Sequence, residues 1–310
     1  MNPIGEIMGR TVTVIIPTYK PSQMLVRLIK QIDRQDYQVE KILIMNTDKR
    51  YWNSIFDNLS KKVEVIHLGK SEFDHGGTRD KAARRAETDI ILYMTQDVSL
   101  SDEKVFSEMM KFFNRQGVKA VYARQLPQKD CKTIESYTRS FNYPEKSQIK
   151  SAADIDKLGI KAYFCSNVCA AYERETYLKL GGFIRKTIFN EDMIYAAKLI
   201  KAGYRVAYAA KARVIHSHNY SNLEQLRRNF DVAVSQVENP EAFAGVKSEG
   251  EGIKLVKQTV KYLWQSRKPW LIPALVLTSA CKYLGYCLGK HYRMLPHKMV
   301  RSLTMNKEYW

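Results

Sequence analysis

Residues 73–97, FDHGGTRDKAARRAETDIILYMTQD, narrow what this chain can fold into more than any other stretch. A glycine pair, a basic helix and the apolar run IILYM follow one another, and the run ends by presenting Asp97. In an open α/β sheet, ligands sit in the crevice beyond the carboxyl ends of the strands. An acid at such an end is well placed for a metal or a phosphate, so Asp97 is read as the centre of a site. Gly76 and Gly77 permit positive φ and close backbone approach, which suits a loop lying against a diphosphate. Arg79 adds a forked donor whose geometry Lys cannot reproduce. His75 reads either as a polar loop residue or as a contact to a bound substrate.

The rest of the chain alternates in the same way. Residues 11–17, TVTVIIP, form a β-branched run closed by Pro17, with Thr18 and Tyr19 in the loop at its carboxyl end. Ser22 caps a helix whose Leu25, Leu28, Ile29 and Ile32 share one face. Strands are expected at 41–45, 63–68 and 118–124, and a helix from Ser101 with Phe106, Met109, Met110 and Phe113 inward. Residues 125–161 are polar and long, and Arg139, Asn142, Tyr143 and Lys146 make them a candidate lid. Asn190, Glu191 and Asp192 open a helix that ends at Gly203, where acids would also complement the macrodipole. After a strand at 205–208, His216 and His218 alternate at a strand end and point to one side, an arrangement that suits a divalent metal or a hydrogen-bonded pair. Ser221 and Glu224 fit a capping box.

These motifs, in this order, resemble the family 2 glycosyltransferases, which have the GT-A fold. The likeness covers roughly residues 11–240. It implies a Rossmann-like α/β domain with a mixed, mainly parallel sheet flanked by helices. Gly77-Thr78-Arg79-Asp80 stand where the family has a small residue, Arg and Asn, and Thr95-Gln96-Asp97 where it has Asp-x-Asp. Thr95 thus removes one acid from the metal site and Asp80 adds one to the turn. The wording Phe-x-His-Gly-Gly-Thr-Arg followed by Thr-Gln-Asp looks most like the rhamnosyltransferase branch. The resemblance implies a nucleotide-sugar site formed by Pro17, Thr18, Tyr19, Asn46, Asp48, His75, Gly76, Gly77, Arg79, Gln96 and Asp97. It makes Asp192 the catalytic base, with Glu191 and Asn167 toward the acceptor. Mn²⁺ or Mg²⁺ would be held by Asp97 and a compensating histidine, His218 being favoured over His216.

Charge then separates the end of the chain from the rest. The 310 residues carry a net charge of +18. From Gly252 to Trp310 eleven Lys and Arg stand against Glu308 alone, so more than half of the excess lies in the last fifth. Residues 245–252 read as a hinge between a catalytic domain, 1–244, and a basic helical region, 245–310. The apolar run 270–280 is about eleven residues long before Lys282 interrupts it, short of a bilayer core of about 30 Å. Aromatic residues mixed with Lys and Arg instead suit a helix lying in an anionic interface, or a helical region packing on the catalytic domain. No nucleic-acid reader motif accompanies the charge. Five scattered cysteines point to a reduced compartment, and residues 1–10 lack a basic-then-apolar leader.

The expectation is therefore an inverting transferase at the inner face of the cell membrane. It would move L-rhamnose from dTDP-rhamnose to a glycan or polyprenyl-linked glycan, the alternatives being a UDP-hexose donor or a basic, non-catalytic adaptor. A nucleotidyltransferase of the same fold would need a Gly-rich, Lys-bearing loop after the first strand, and Pro17-Thr18-Tyr19-Lys20-Pro21 is not one.

Overall fold

The computed structural model describes residues 9–246 and 249–310. Chain order gives β1 (Val12–Tyr19), α1 (Gln23–Asp33), β2 (Lys41–Thr47), β3 (Val63–Leu68), α2 (His75–Arg85), β4 (Ile90–Met94) and β5 (Ser99–Leu100). There follow α3 (Val105–Met110), β6 (Val118–Leu126), α4 (Thr133–Asn142), β7 (Gln148–Lys150), α5 (Ile155–Leu158), β8 (Cys169–Glu173) and α6 (Arg174–Lys179). The last part holds α7 (Glu191–Lys201), β9 (Arg205–Ile215), α8 (Asn222–Glu238), α9 (Pro240–Phe243), α10 (Glu249–Gln265), α11 (Ile272–Lys290) and α12 (His297–Leu303).

Nine strands form one sheet in the order β3-β2-β1-β4-β8-β6-β9-β5, with β7 on β9. The expected parallel character holds for β3, β2, β1 and β4, and for β6 beside β9. It fails elsewhere: β8 runs antiparallel between β4 and β6, as do β5 and β7 on β9, so the sheet is evenly mixed. Strands buried on both faces read as continuous apolar runs, and β4, IILYM, is buried at every position. The helix after Ser22 forms as its spacing requires. Ser22 Oγ accepts from Met24 N at 3.3 Å, and Leu25, Leu28, Ile29 and Ile32 are buried against the sheet.

Several boundaries differ from the pattern reading, and β2, β6 and β9 run on to Thr47, Leu126 and Ile215. β1 continues through Pro17 to Tyr19, because Pro17, Thr18 and Tyr19 pair only with β2, while pairing to β4 ends at Ile15. Residues 125–161, which the pattern left unassigned, contain α4, β7 and α5. Of the expected hinge, residues 247 and 248 lie outside the described residues, while Gly250 and Gly252 sit inside α10.

The basic C-terminal helices pack on the α/β core. α11 lies along α8: Thr278 Oγ1 donates to Asn222 Oδ1 at 2.8 Å, and a Cβ on Gly285 would stand 2.1 Å from Leu226 O. A Cβ on Gly289 would meet Phe230 O at 2.4 Å. Only glycine permits that approach, which the sequence reading did not anticipate. Gly285→Ala adds a single methyl that favours helix by about 1 kcal/mol, yet it must push the two helices apart. The expected result is a lower melting temperature, by about 5 °C, in circular dichroism. A melting temperature raised by this change would contradict the packing.

The last residues turn back onto the core. Asp231, in α8, accepts from Thr304 Oγ1 at 2.6 Å and from Met305 N at 2.9 Å. Tyr309 donates to Glu238 at 2.6 Å, and Asn306 Nδ2 to Ile188 O at 3.2 Å.

Candidate active site

The carboxyl ends of the parallel strands open on one edge, and the sequence-predicted residues gather there in two groups. The first forms around Asp97. His216 Nε2 lies 3.4 Å and His218 Nε2 3.6 Å from Asp97 Oδ2. Both histidines follow β9, and His216 N donates to Leu126 O at 2.9 Å, which fixes the end of that strand beside β6. Burial alone would raise the Asp97 carboxyl, but bonding to His216, with help from Thr95 and His218, holds it well below the usual carboxylate range. Burial and the charge of His216 lower His218.

Gln125 fixes the orientation of His216. Arg139 Nη1 donates to Gln125 Oε1, and His216 Nδ1 lies 3.3 Å from the same oxygen. A carbonyl oxygen only accepts, so Nδ1 donates to it, and Nε2 faces Asp97, able to donate to the carboxylate or, with a cation bound, to turn a lone pair to the metal. A carboxylate oxygen and two imidazole nitrogens, all within 4.8 Å of one another, face the same point. That donor set fits a divalent cation, with Gln125 orienting one ligand from behind. His216 is thus as well placed as the favoured His218. Gln125 escaped the sequence reading, which ended its strand at Arg124; its signal was only its place at a strand end.

The second group forms where α7 begins. Asn190 adopts a left-handed φ of 64° and starts the helix, so that Glu191 and Asp192 project from its first turn. Asp192 Oδ2 accepts from Asn167 N at 3.0 Å and Oδ1 from Met193 N at 2.8 Å. Burial and the neighbouring Glu191 charge nevertheless push the Asp192 carboxyl up to about 7. Glu191 is buried, pairs with Arg79 Nη1 at 3.2 Å and accepts from Asn167 Nδ2 at 3.1 Å. Burial would raise Glu191, but Arg79 and His75 outweigh it and keep the carboxyl low. One acid of the pair is therefore held ionised and the other poised near neutrality, the division of labour a general base needs.

The two groups are joined. Gln125 Nε2 donates to Ser166 Oγ at 2.9 Å, and the next residue, Asn167, holds Asp192.

Several predicted residues have other tasks. Arg79 does not reach outward to a phosphate; it is buried, bonded to Glu191 and to His75 O at 2.8 Å. Gly76 and Gly77 lie inside the first turn of α2 without positive φ, and a Cβ on Gly76 would stand 1.9 Å from Ile184 O. That glycine admits a neighbouring chain segment. Asn46 is fully buried and accepts from Thr18 Oγ1 at 3.0 Å, with His67 Nδ1 also 3.0 Å away, while Asp48 is engaged by Arg50. Glu191 and Asn167 brace Asp192, and Asp80 anchors Arg84 and Arg185. Pro17 is part of the sheet. Tyr19 remains exposed, clamped by Gln96, whose Nε2 donates to Tyr19 O at 2.8 Å. His75 lies 3.5 Å from Asn306 of the returning C-terminal segment.

The sequence profile described as glycosyl transferase family 2 matches residues 13–181, more than half of the chain. The chain belongs to this family. Over 303 residues, this glycosyltransferase is 39% identical to the O-antigen chain rhamnosyltransferase RfbN of Salmonella typhimurium, covering 96% of each chain. It is equally identical over 307 residues to the O-antigen chain rhamnosyltransferase WbaN of Salmonella anatum, covering 96% of this chain and 95% of that one. Among solved structures it resembles a mannosyltransferase of Pyrobaculum calidifontis in complex with GDP-Man and Mn²⁺. There the TM-score is 0.56 at 16% identity, over 97% of this chain and 84% of that one. S. aureus TarS in complex with UDP-GlcNAc gives a TM-score of 0.50 at 15% identity, over 92% of both chains. Likeness at that distance speaks for the GT-A fold alone.

Proposed function

We propose that this glycosyltransferase moves L-rhamnose from dTDP-rhamnose to a hydroxyl of a growing surface polysaccharide, with inversion at the anomeric carbon. The donor and the reaction rest on 39% identity sustained over 96% of the chain to two O-antigen rhamnosyltransferases. The mechanism rests on Asp192. Its carboxylate takes the proton from the acceptor hydroxyl while that oxygen attacks the sugar and the nucleoside diphosphate departs from the opposite face. Glu191, held ionised by Arg79, keeps the Asp192 carboxyl high enough to accept that proton. Asp97, His216 and His218 would hold Mn²⁺ or Mg²⁺. When bound, such a cation neutralises charge on the departing diphosphate. Nuclear magnetic resonance of the product tests the reading: the new linkage should have the anomeric configuration opposite to the donor's, and retention would overturn it.

The same reading places the enzyme on the cytoplasmic face of a membrane. α11 belongs to a helical stretch, residues 269–290, that contains an 18-residue window of mean hydropathy 1.5 and is long and apolar enough to cross a bilayer by length and composition. That corrects the shorter run inferred from Lys282. Since one side of α11 is committed to α8, the reading is a helix lying in the interface, its exposed Val276, Leu277 and Leu284 entering lipid together with the exposed Trp264 and Trp270. Full-length protein is expected to sediment with anionic vesicles at low salt, and Trp264→Ser with Trp270→Ser to weaken this about tenfold. Equal sedimentation of parent and variant would count against this surface.

A further inference from the structure

Tyr172, in β8, is fully buried, and its ring packs edge-on against Tyr93 of β4 and Tyr195 of α7 with centroids 5.7 and 5.5 Å away. Tyr195 stands one turn beyond Glu191 on the same helix, so the ring already supports the start of α7. The hydroxyl reaches the same place by another route. Tyr172 OH donates to Asn167 Oδ1 at 2.9 Å, Asn167 Nδ2 donates to Glu191 Oε1 at 3.1 Å, and Asn167 N donates to Asp192 Oδ2 at 3.0 Å. One side chain of the sheet is thus connected to both acids through one asparagine.

The direction of each bond follows from its neighbours. Glu191 is held ionised beside Arg79, and a carboxylate only accepts, so the asparagine must turn its amide nitrogen toward it. Its carbonyl oxygen then faces Tyr172, which has to donate. Burial keeps the tyrosine hydroxyl protonated. Cys165 Sγ lies 3.3 Å from that hydroxyl, and burial pushes the thiol up to about 12, so S–H donates to the tyrosine oxygen. Cys165, Tyr172, Asn167 and Glu191 therefore form one directed line of donors. Without the tyrosine proton the line breaks at Asn167. The buried amide oxygen loses its donor, and nothing then opposes its turning toward Glu191, acceptor against acceptor.

We infer that Tyr172 is a positioning residue for glycosyl transfer, holding Asp192 and Glu191 through Asn167 in the arrangement that removes the acceptor proton. The inference rests on Asp192 as the base. Tyr172 is fully enclosed and touches no substrate. Its strand pairs with β4 on one side and β6 on the other, so the aim of the base is tied to the middle of the sheet.

Tyr172→Phe keeps the ring and removes only the hydroxyl. The expected result is a kcat lowered about tenfold with the donor KM within about twofold of the parent. Both are read from nucleoside diphosphate released from dTDP-rhamnose, or from whichever sugar nucleotide the parent turns over fastest. Tyr177→Phe is the control. Tyr177 packs on Tyr172 with centroids 6.2 Å apart, but its hydroxyl serves Asp80 and Phe183 N. This variant also loses a buried hydrogen bond, yet should keep kcat within about twofold. A double-mutant cycle then isolates the route. Asn167→Ala should itself lower kcat about tenfold or more, and adding Tyr172→Phe should cost less than about twofold further, because the tyrosine acts through the asparagine. Losses that multiply, a Tyr172→Phe enzyme with the parent's kcat, or an equal fall in Tyr177→Phe would overturn the inference. Asp192→Asn, assayed alongside, separates this role from the reading beneath it. If that variant keeps transfer, the base assignment fails; if it loses transfer while Tyr172→Phe does not, the positioning role alone fails.

Discussion

Asp192→Asn is expected to lower glycosyl transfer by about 10²- to 10⁴-fold while leaving the affinity for the nucleotide-sugar within about twofold of the parent. The amide keeps the shape of the side chain and can still accept from Asn167 N, so the start of α7 stays in place. What it loses is the ability to take a proton. The parent's pH profile carries the same signature. A base works deprotonated, and burial beside Glu191 pushes this carboxyl up to about 7, so the rate should climb with pH and level off above that value. In Asp192→Asn the climbing limb should vanish along with the rate. Comparable losses of donor affinity and transfer would instead make Asp192 a structural residue.

Asp97→Ala is expected to reduce turnover about 100-fold or more and to abolish its response to added Mn²⁺, because several kcal/mol of charge stabilisation on the leaving group are at stake. The carboxylate is the anionic member of the group formed with His216 and His218. His216→Ala and His218→Ala keep that charge, so each should retain activity but require more metal, by about tenfold. Titrating Mn²⁺ into chelator-treated protein distinguishes these cases. An Asp97→Ala variant with the parent's metal response would place the cation elsewhere.

Local signals in the sequence carried much of this arrangement. The period-2 spacing of His216 and His218 put both rings on one side of a strand end, and the acid closing IILYM supplied their partner. Ser22 and Ser221 with Glu224 announced their helices, and both caps form. What stayed hidden depends on partners far away in the chain. Arg79 reads as a phosphate ligand until α7 brings Glu191 against it. Gly76 reads as a turn until the Ile184 carbonyl fills the space a side chain would occupy. Asn46 sits at the right strand end, but Thr18 and His67 turn it inward. The antiparallel insertion of β8 between β4 and β6 leaves no trace in strand composition, since a buried strand is apolar whichever way it runs. Lys282 reads as the end of an apolar run, whereas α11 continues through it to Lys290.

The central claim is that this enzyme's donor is dTDP-rhamnose, and release of nucleoside diphosphate tests it most directly. Full-length protein would be offered dTDP-rhamnose, dTDP-glucose, UDP-hexoses and GDP-mannose in turn, with Mn²⁺ and with lipid-linked oligosaccharide as acceptor. The account predicts acceptor-dependent release from dTDP-rhamnose at a rate well above that from every other sugar nucleotide, and loss of that release in Asp97→Ala. Equal or faster release from a UDP- or GDP-sugar would contradict it.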